Sequence, residues 1–425
     1  MNIIKYLQKM QYSIADHAAI KSDLNTRGIN VSYETETDDF GVVRKTRRYI
    51  FSNTRNLRNK NKNISDMVVE SNGVILEAPE WHPLVISTLT PKSNVDKSVA
   101  NAFLKGNQYD IYQLEDGTII NLYYYNNKWT ISTARGIEVN KVVFNTLDYD
   151  QILKDCLQSA GVIPAEFYDS LDKSTCYTIG FKHPDMHPFR EGNGAPLYKL
   201  WFVQKVTISE TDAPIVIRKS PWEYIPNQEK ISFNVSNLGL LFGKLTSAYN
   251  EFANSGVVNY GYLLVAKNPD SFVHNMNYSV ILFESKLMNL IRNLWYDASY
   301  GKFIKKTLYN RLDTIILNSF LDDQRYEAFC ILFPQFKCYL DKLCALEVKL
   351  INDIYYCLNN NVISKNTIVD ILCKKVSQHL TISSQERPLQ KIRDIIHTNV
   401  NIEYYYNLSH ETIDDLCENI TNLNV

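Results

Sequence analysis

Apolar positions along the chain change period twice, and the changes predict its elements. Residues 1 to 25 place Ile4, Leu7, Ile14 and Ala18 at helical spacing, whereas Asp23 to Asp39 is polar and predicts a turn-rich connection. From Met67 to about residue 285 the text becomes a succession of short β-branched or aromatic runs: MVVE, GVILEA, LVIST, DIYQL, TIINLYYY, WTIST, KVVF, LWFVQKVTI, PIVIR, YGYLLVAK and YSVILF. Gly, Asn, Asp and Pro bound them, so they predict strands. Helical interludes are expected over 95–106, 148–160 and 237–255. After Glu284 the helical period returns, with Leu287, Leu290, Ile291 and Leu294 on one stripe and Leu343, Leu346, Leu350 and Ile354 on another. Pro334, the Asn359-Asn360-Asn361 turn and Pro388 divide this tail into several helices. The expected architecture is α+β. Residues 1–64 form an N-terminal helix and basic segment attached to the first domain, 65–285 a domain of antiparallel sheets with helices, and 286–425 an all-helical domain.

Length and charge narrow the picture only a little. A chain of 425 residues makes two or three domains, and a net charge of -1 gives no overall attraction to nucleic acid or anionic lipid. Any such contact must come from a local patch. The text holds no run of 18 apolar residues and its start lacks a long apolar core, so neither a membrane span nor a signal peptide is expected. A cytoplasmic protein is expected, in a host cell or a virion if the source is viral. Eight cysteines without a C-x-x-C pair read as buried free thiols rather than disulfides or a zinc site. Abundant Asn, Ile, Lys and Tyr suggests an AT-rich genome, as in large DNA viruses and some phages and parasites.

The chemistry-bearing text is Tyr109 to Gly136, YDIYQLEDGTIINLYYYNNKWTISTARG. It has the form of a covalent nucleotidyltransferase site, in which a lysine two residues before an Asp-Gly turn attacks the α-phosphate of ATP. Asp116, Gly117, the apolar strand and the closing Arg135-Gly136 are in place. Leu114 stands where the lysine belongs.

Upstream lies Glu70-Ser71-Asn72-Gly73-Val74-Ile75-Leu76-Glu77, then PLVISTLTPKSN with Lys92; downstream come TCYTIGFKHP, GYLLVAKNPDS and SFLDDQRYEAFCILFPQFKCYLDKL. In this order, across roughly 65 to 350, the segments resemble the phage RNA ligase 1 family of ATP-dependent, tRNA-repairing ligases. The resemblance implies a nucleotidyltransferase (ATP-grasp-like ligase) domain followed by a helical one. It also locates the family's functional residues. The nucleophilic lysine falls on Leu114, which has no lone pair with which to form lysyl-AMP. The arginine of the upstream strand falls on Asn72, losing charge and fork geometry. The glutamates of two later motifs fall on Gly180 and Tyr260, and the final lysine pair on Leu282 and Glu284. ATP carries about four negative charges that positioned cations and a metal must offset. The remnants of such a pocket here are Lys92, Asp116, Gly117, Arg135 and Lys267. The resemblance therefore implies a ligase-like protein without catalytic residues, expecting no cofactor and no metal, and serving nucleic-acid binding or an assembly. The alternative is an active ATP-dependent RNA ligase using ATP and Mg²⁺, its nucleophile displaced to Lys92, Lys105 or Lys128. A third reading keeps Lys92, Asp116 and Arg135 as a non-covalent nucleotide sensor.

Between Arg44 and Lys62 stand Arg44, Lys45, Arg47, Arg48, Arg55, Arg58, Lys60 and Lys62 with no acid, and with Tyr49 and Phe51 among them. This segment suits RNA or DNA phosphates with an aromatic for stacking, or else is a solvated strand and loop. A protein partner or larger assembly is expected as well. His183 and His187 flank Asp185, but Pro184 and Pro188 exclude a helical metal pair, so solvent-facing imidazoles are expected. Tyr123-Tyr124-Tyr125, Tyr404-Tyr405-Tyr406, Trp129 and Trp295 are expected to pack rather than stack on bases. Lys267 fits a phosphate contact or an edge-strand lysine equally.

Overall fold

The computed structural model of the protein describes residues 2–10, 17–37, 43–53, 66–93, 109–144, 147–184, 186, 198–208, 214–231, 238–266, 280–292, 323–334, 348, 351–364, 367–379, 389, 391–392 and 395. The chain divides into two compact units, Met1–Leu308 and Tyr309–Val425.

Alternation in the first hundred residues builds a four-stranded antiparallel sheet, β1 (Ile29–Thr37), β2 (Val43–Asn53), β3 (Val74–Glu77) and β4 (His82–Val85), in that spatial order. Ile29, Val31, Tyr49, Phe51, Val74 and Leu76 face the helices Asn2–Met10 and His17–Thr26 and pack on Ile3, Leu7, Ile20 and Leu24. The expectation of a turn-rich connection over 23–39 is corrected here. Ile29 and Val31 are buried and alternate with the exposed Asn30 and Ser32, so a half-buried strand is hidden in polar text.

The remaining strands are β5 (Lys92–Ser93), β6 (Tyr109–Gln113), β7 (Thr118–Tyr125), β8 (Lys128–Ser132), β9 (Val143–Phe144), β10 (Leu147–Asp148), β11 (Thr175–Lys182), β12 (Lys199–Thr207), β13 (Ile215–Ile217), β14 (Lys230–Ile231), β15 (Gly261–Ala266) and β16 (Val280–Glu284). They form a central sheet ordered β13-β12-β11-β7-β8, a third ordered β14-β6-β15-β16-β5, and the small β9-β10 pair. All pairings are antiparallel except β5 on β16. The tight β7–β8 hairpin turns at Asn126 and Asn127, both at positive φ, 47° and 60°. A two-residue hairpin loop needs that left-handed pair, and asparagine tolerates it.

The central sheet has two unlike faces. Ile120, Leu122, Ile131, Tyr177, Ile179, Phe181, Leu200 and Phe202 pack beneath the helices Tyr149–Ser159 and Pro164–Asp169, the first capped by Asp148 accepting from the Gln151 amide at 2.8 Å. On the other face Tyr123, Tyr125 and Cys176 meet Ile50, Ile75 and Val85 of the N-terminal sheet. The third sheet buries Ile111, Tyr262, Leu264, Ile281 and Phe283 against Leu241 and Leu245 of the helix Leu238–Ser255. The expected helices at 148–160 and 237–255 are thus present, while 95–106 lies outside the described residues.

The second unit holds the helices Asp323–Leu332, 351–360 and Thr367–His379, and Ile351, Ile354, Val369, Leu372 and Val376 form a common core with Ile392 and Ile395; of the expected stripe Ile354 is described, while Leu343, Leu346 and Leu350 lie outside the described residues. Asn361, at φ 53°, ends one of these helices in the left-handed position.

Candidate functional site

The chain passes from the third sheet to the central one through Leu114 to Gly117, between β6 and β7. The Leu114 amide donates to the Gly261 carbonyl at 2.9 Å and the Gln113 amide to the Glu229 carbonyl at 2.8 Å, fixing the corner from both sides. A cavity of about 230 Å³ opens between the two sheets. Leu114, Gly117, Tyr112 and Trp201 border it together with Arg218 and Gln228. Cavities that enclose whole small-molecule ligands measure roughly 300–1,000 Å³. This one is smaller, and Arg218 is the sole cation of its described lining.

Trp201 fills part of the space beside the cavity. It stands opposite Gly180 across the β11–β12 pair and is buried. A Cβ at Gly180 would lie 1.9 Å from Trp201 Cε2 and 2.3 Å from Nε1, and one at Gly117 2.3 Å from Cη2. The indole therefore lies across the bare backbone of both glycines. At Gly180 the resemblance calls for a glutamate, whose side chain has no room while Trp201 is there.

The other carried-over positions are placed as follows. Tyr260 is buried, its hydroxyl 2.8 Å from Lys182 Nζ, itself buried. Leu282 lies in β16 between Leu263 and Ser93. Glu284 accepts from Arg292 Nη1 at 2.6 Å, so its carboxylate is engaged in an ion pair. Asp116 is buried beside the cavity, and Glu115 accepts from Lys199 at 2.7 Å. Lys92 pairs with Ile281 at the edge of the third sheet, with its side chain outside the described residues, as is all of Lys267. Arg135 is exposed and is absent from the described lining. Its neighbour Ala134 and Ser87 both lie 3.2 Å from where a Gly73 Cβ would be. Three segments of the resemblance, Asn72-Gly73, Ser87 and Ala134-Arg135, thus converge. Asn72 accepts from the Asn53 amide at 3.4 Å.

Of the displaced-lysine alternatives, Lys128 is paired to Glu138 at 2.5 Å and Lys105 lies outside the described residues. Among the described residues, no group of three His, Cys, Asp or Glu side chains is arranged to hold a metal. Gly180, Tyr260 and Leu282, where the resemblance calls for charged groups, supply none among the described residues.

The basic segment separates into parts. Arg48 departs from the nucleic-acid expectation. Its guanidinium is buried, donating to the Tyr123 hydroxyl at 2.8 Å, to Glu138 at 3.1 Å and to Glu34, and it lies 4.4 Å over the Tyr125 ring. Alternation explains this: Arg48 points from β2 toward the central sheet, where two tyrosines and two carboxylates satisfy it. Arg44, Lys45 and Arg47 belong to β2, their side chains undescribed, and Arg55, Arg58, Lys60 and Lys62 lie outside the described residues. His183 is also unlike its expectation. It is 2% exposed, against Tyr198 and 3.6 Å from Asp155, while Asp185 and His187 lie outside the described residues. Tyr123 and Tyr125 are buried and Trp129 packs on the core, as expected; Tyr404 to Tyr406 and Trp295 lie outside the described residues.

Sequence reasoning missed Trp201, Lys182 and Arg218. Only the pairing of Gly180 with Trp201 gives the first away, and that register is invisible without coordinates.

Fold and site together define an α+β protein whose Leu-Glu-Asp-Gly corner borders a small apolar cavity between antiparallel sheets. The chain is similar to viral proteins that carry the name "Putative RNA-ligase". It is 22% identical over 300 residues to a protein named "Putative RNA-ligase" in a Malawi tick isolate of African swine fever virus, covering 64% of each chain. To the protein of the same name in a South African tick isolate it is 23% identical over 313 residues, 67% of this chain and 66% of the relative. The chain thus spans just under two thirds of these relatives' length. No family model matches it. Among solved structures it is similar to "Archaeal ATP-dependent RNA ligase - form 1", at 10% identity and a TM-score of 0.40 over 92% of this chain and 95% of that one. A score of 0.40 is too low for residue equivalence. No helix among the described residues is long and apolar enough to cross a membrane.

Proposed function

We propose that this protein is a catalytically degenerate relative of RNA ligases, retained to bind nucleic acid or to build an assembly. The observation that carries the reading is Leu114. Its isobutyl group borders the cavity at the position where the resemblance calls for the nucleophilic amine. Trp201 over Gly180 and the Arg292 partner of Glu284 add support, because restoring one lysine would leave the other charges missing. Lys182, at the end of β11, is a buried amine, yet its Nζ is held at the Tyr260 hydroxyl and it does not border the cavity among the described lining.

Basic residues from Arg44 to Lys62, less Arg48, remain the candidate contact for RNA or DNA phosphates. Incubation with α-labelled ATP and Mg²⁺ tests the first half: no label should survive denaturation, in the native chain or in Leu114→Lys. A denaturation-stable label lost on mutating one lysine would establish the working-ligase alternative instead. Binding to single-stranded RNA tests the second half. Affinity should fall with salt at a slope of about -0.7 per phosphate contacted, and replacing Arg55, Arg58, Lys60 and Lys62 by serine should shallow it.

A further inference from the structure

Far from the Leu114 corner in sequence, the second unit carries two free cysteines that meet across a pair of helices. The helix 351–360 buries Ile351 and Ile354 and ends at the left-handed Asn361; Thr367–His379 follows and buries Val369, Leu372 and Val376 in the same cluster. Cys357 lies one turn after Ile354. Cys373 stands four residues after Val369 and three before Val376, so each thiol belongs to the face its helix turns to the other. Both pack on the shared cluster while staying partly exposed. The Cys373 thiol reaches across to the first helix, where it donates to the Ile354 carbonyl at 3.9 Å and is in side-chain contact with the Cys357 thiol. Cys156 and Cys176, by contrast, are buried in the first unit.

From this placement we infer that Cys357 and Cys373 form a reversible oxidation site, closing into a disulfide that staples the helix 351–360 to Thr367–His379 when a low-molecular-weight disulfide such as oxidised glutathione is present. The Cys357 thiolate attacks one sulfur of the small disulfide and breaks its S–S bond. A mixed disulfide forms, and the released small thiolate takes up the proton that Cys357 gave. Cys373 then attacks the Cys357 sulfur, displaces the second small thiolate and passes its own proton to it. Two protein thiols thus lose two electrons, and one small disulfide is reduced to two thiols. The order of the steps follows from the surroundings. Burial first, and then the neighbouring Cys357 thiol, push the Cys373 thiol up to about 12, with Asp370 adding to the effect. Cys373 is therefore a poor first nucleophile. Once Cys357 is held in the mixed disulfide its contribution is gone, and the sulfur to be attacked is already in contact. The inference is independent of whether the Leu114 corner is catalytic.

Equilibrating the full chain with mixtures of oxidised and reduced glutathione, quenching in acid, blocking the remaining thiols with N-ethylmaleimide and digesting without reductant tests it. Peptide mass spectrometry should find two peptides joined through Cys357 and Cys373, lighter by two hydrogens than their sum, ahead of any other link among the eight cysteines. Cys373→Ser should instead leave glutathione on Cys357, and Cys357→Ser should leave Cys373 unmodified at the same ratio. In the native chain, oxidation should slow amide exchange in both helices at least about tenfold, because the bridge restricts the opened state, and dithiothreitol should restore the original rates. Thiols that merely fill the core would give no such response. Glutathione that stays on Cys357 in the native chain, a preferred link to Cys330 or any other cysteine, or exchange that is unchanged or faster after oxidation would overturn the assignment.

Discussion

Substituting Gly180 by alanine adds a single methyl group, and the structure says what it meets. The new carbon would fall 1.9 Å, 2.2 Å and 2.3 Å from Trp201 Cε2, Cζ2 and Nε1, whereas unstrained carbon contacts sit near 3.5–4.0 Å. The indole would have to withdraw by more than 1 Å, on the order of a full radius, yet it is 3% exposed and its far edge already rests on Gly117. Overpacking of this kind costs about 1–3 kcal/mol, and the upper end is expected. Trp201→Ala alone should cost about 3–5 kcal/mol through lost burial and a cavity. In the double variant the methyl grows into vacated space, so its cost should fall short of the sum of the two single costs by about 1–3 kcal/mol. Native-state amide exchange across β7, β11 and β12 measures the cycle locally, without requiring the two units to unfold as one. If Gly180→Ala costs less than about 0.5 kcal/mol, or if the costs simply add, the indole does not occupy the space assigned to it.

Arg48→Met should destabilise the first unit by about 2–3 kcal/mol, less than the 3–5 of a fully buried pair because Glu34 and Glu138 keep solvent contact. Burial works against the Glu138 charge, but hydrogen bonds from Lys128 and Arg48 outweigh it and hold the carboxyl below its ordinary range. Its contribution is therefore present above about pH 4.3 and disappears as pH falls through the lower folded value; in Arg48→Met the loss should begin at higher pH, as urea denaturation at stepped pH would show. Burial pushes the Cys156 and Cys176 thiols up to about 12, so both should resist iodoacetamide at pH 8 in the folded chain and react once it is unfolded, read by peptide mass spectrometry. Early modification of either would contradict their burial. Asp148→Ala removes the N-cap of the helix Tyr149–Ser159 and should cost about 1 kcal/mol; an unchanged melting curve would refute that role.

What the text revealed depended on whether a signal was local. The strands of the central sheet carry their own β-branched and aromatic runs, and the Asn126-Asn127 turn announces the β7–β8 hairpin. β1 was hidden because Asn30, Ser32 and Glu34 alternate with its apolar positions and the rest of the strand is Glu and Thr, so the polar text outweighed Ile29 and Val31. Charge misled in the same way at Arg48. A run of cations suggests solvent or phosphate, but β2 turns alternate residues inward, and the partners that satisfy Arg48 come from residues 34, 123 and 138. No window of sequence contains all four. His183 likewise reads as a loop imidazole beside proline until Tyr198 and Asp155 close over it.

At the site itself the local and the distant diverge most. Leu114 is legible at once because the Asp116-Gly117 turn fixes the register two residues upstream, and no folding is needed to see that a leucine stands where the resemblance calls for an amine. Gly180 is a different case. In sequence it is merely an absent glutamate, which a single substitution could restore; in space it is one half of a pair with Trp201, whose ring needs two glycines beneath it. A charged side chain cannot return there while the indole remains, and removing the indole opens a void in the wall that holds Gly117 and the Leu114 corner. Gly180 and Trp201 thus act as one structural unit. Reviving Leu114 as lysine would leave that unit in place, and the amine would still face a wall of hydrocarbon and indole rather than cations and carboxylates.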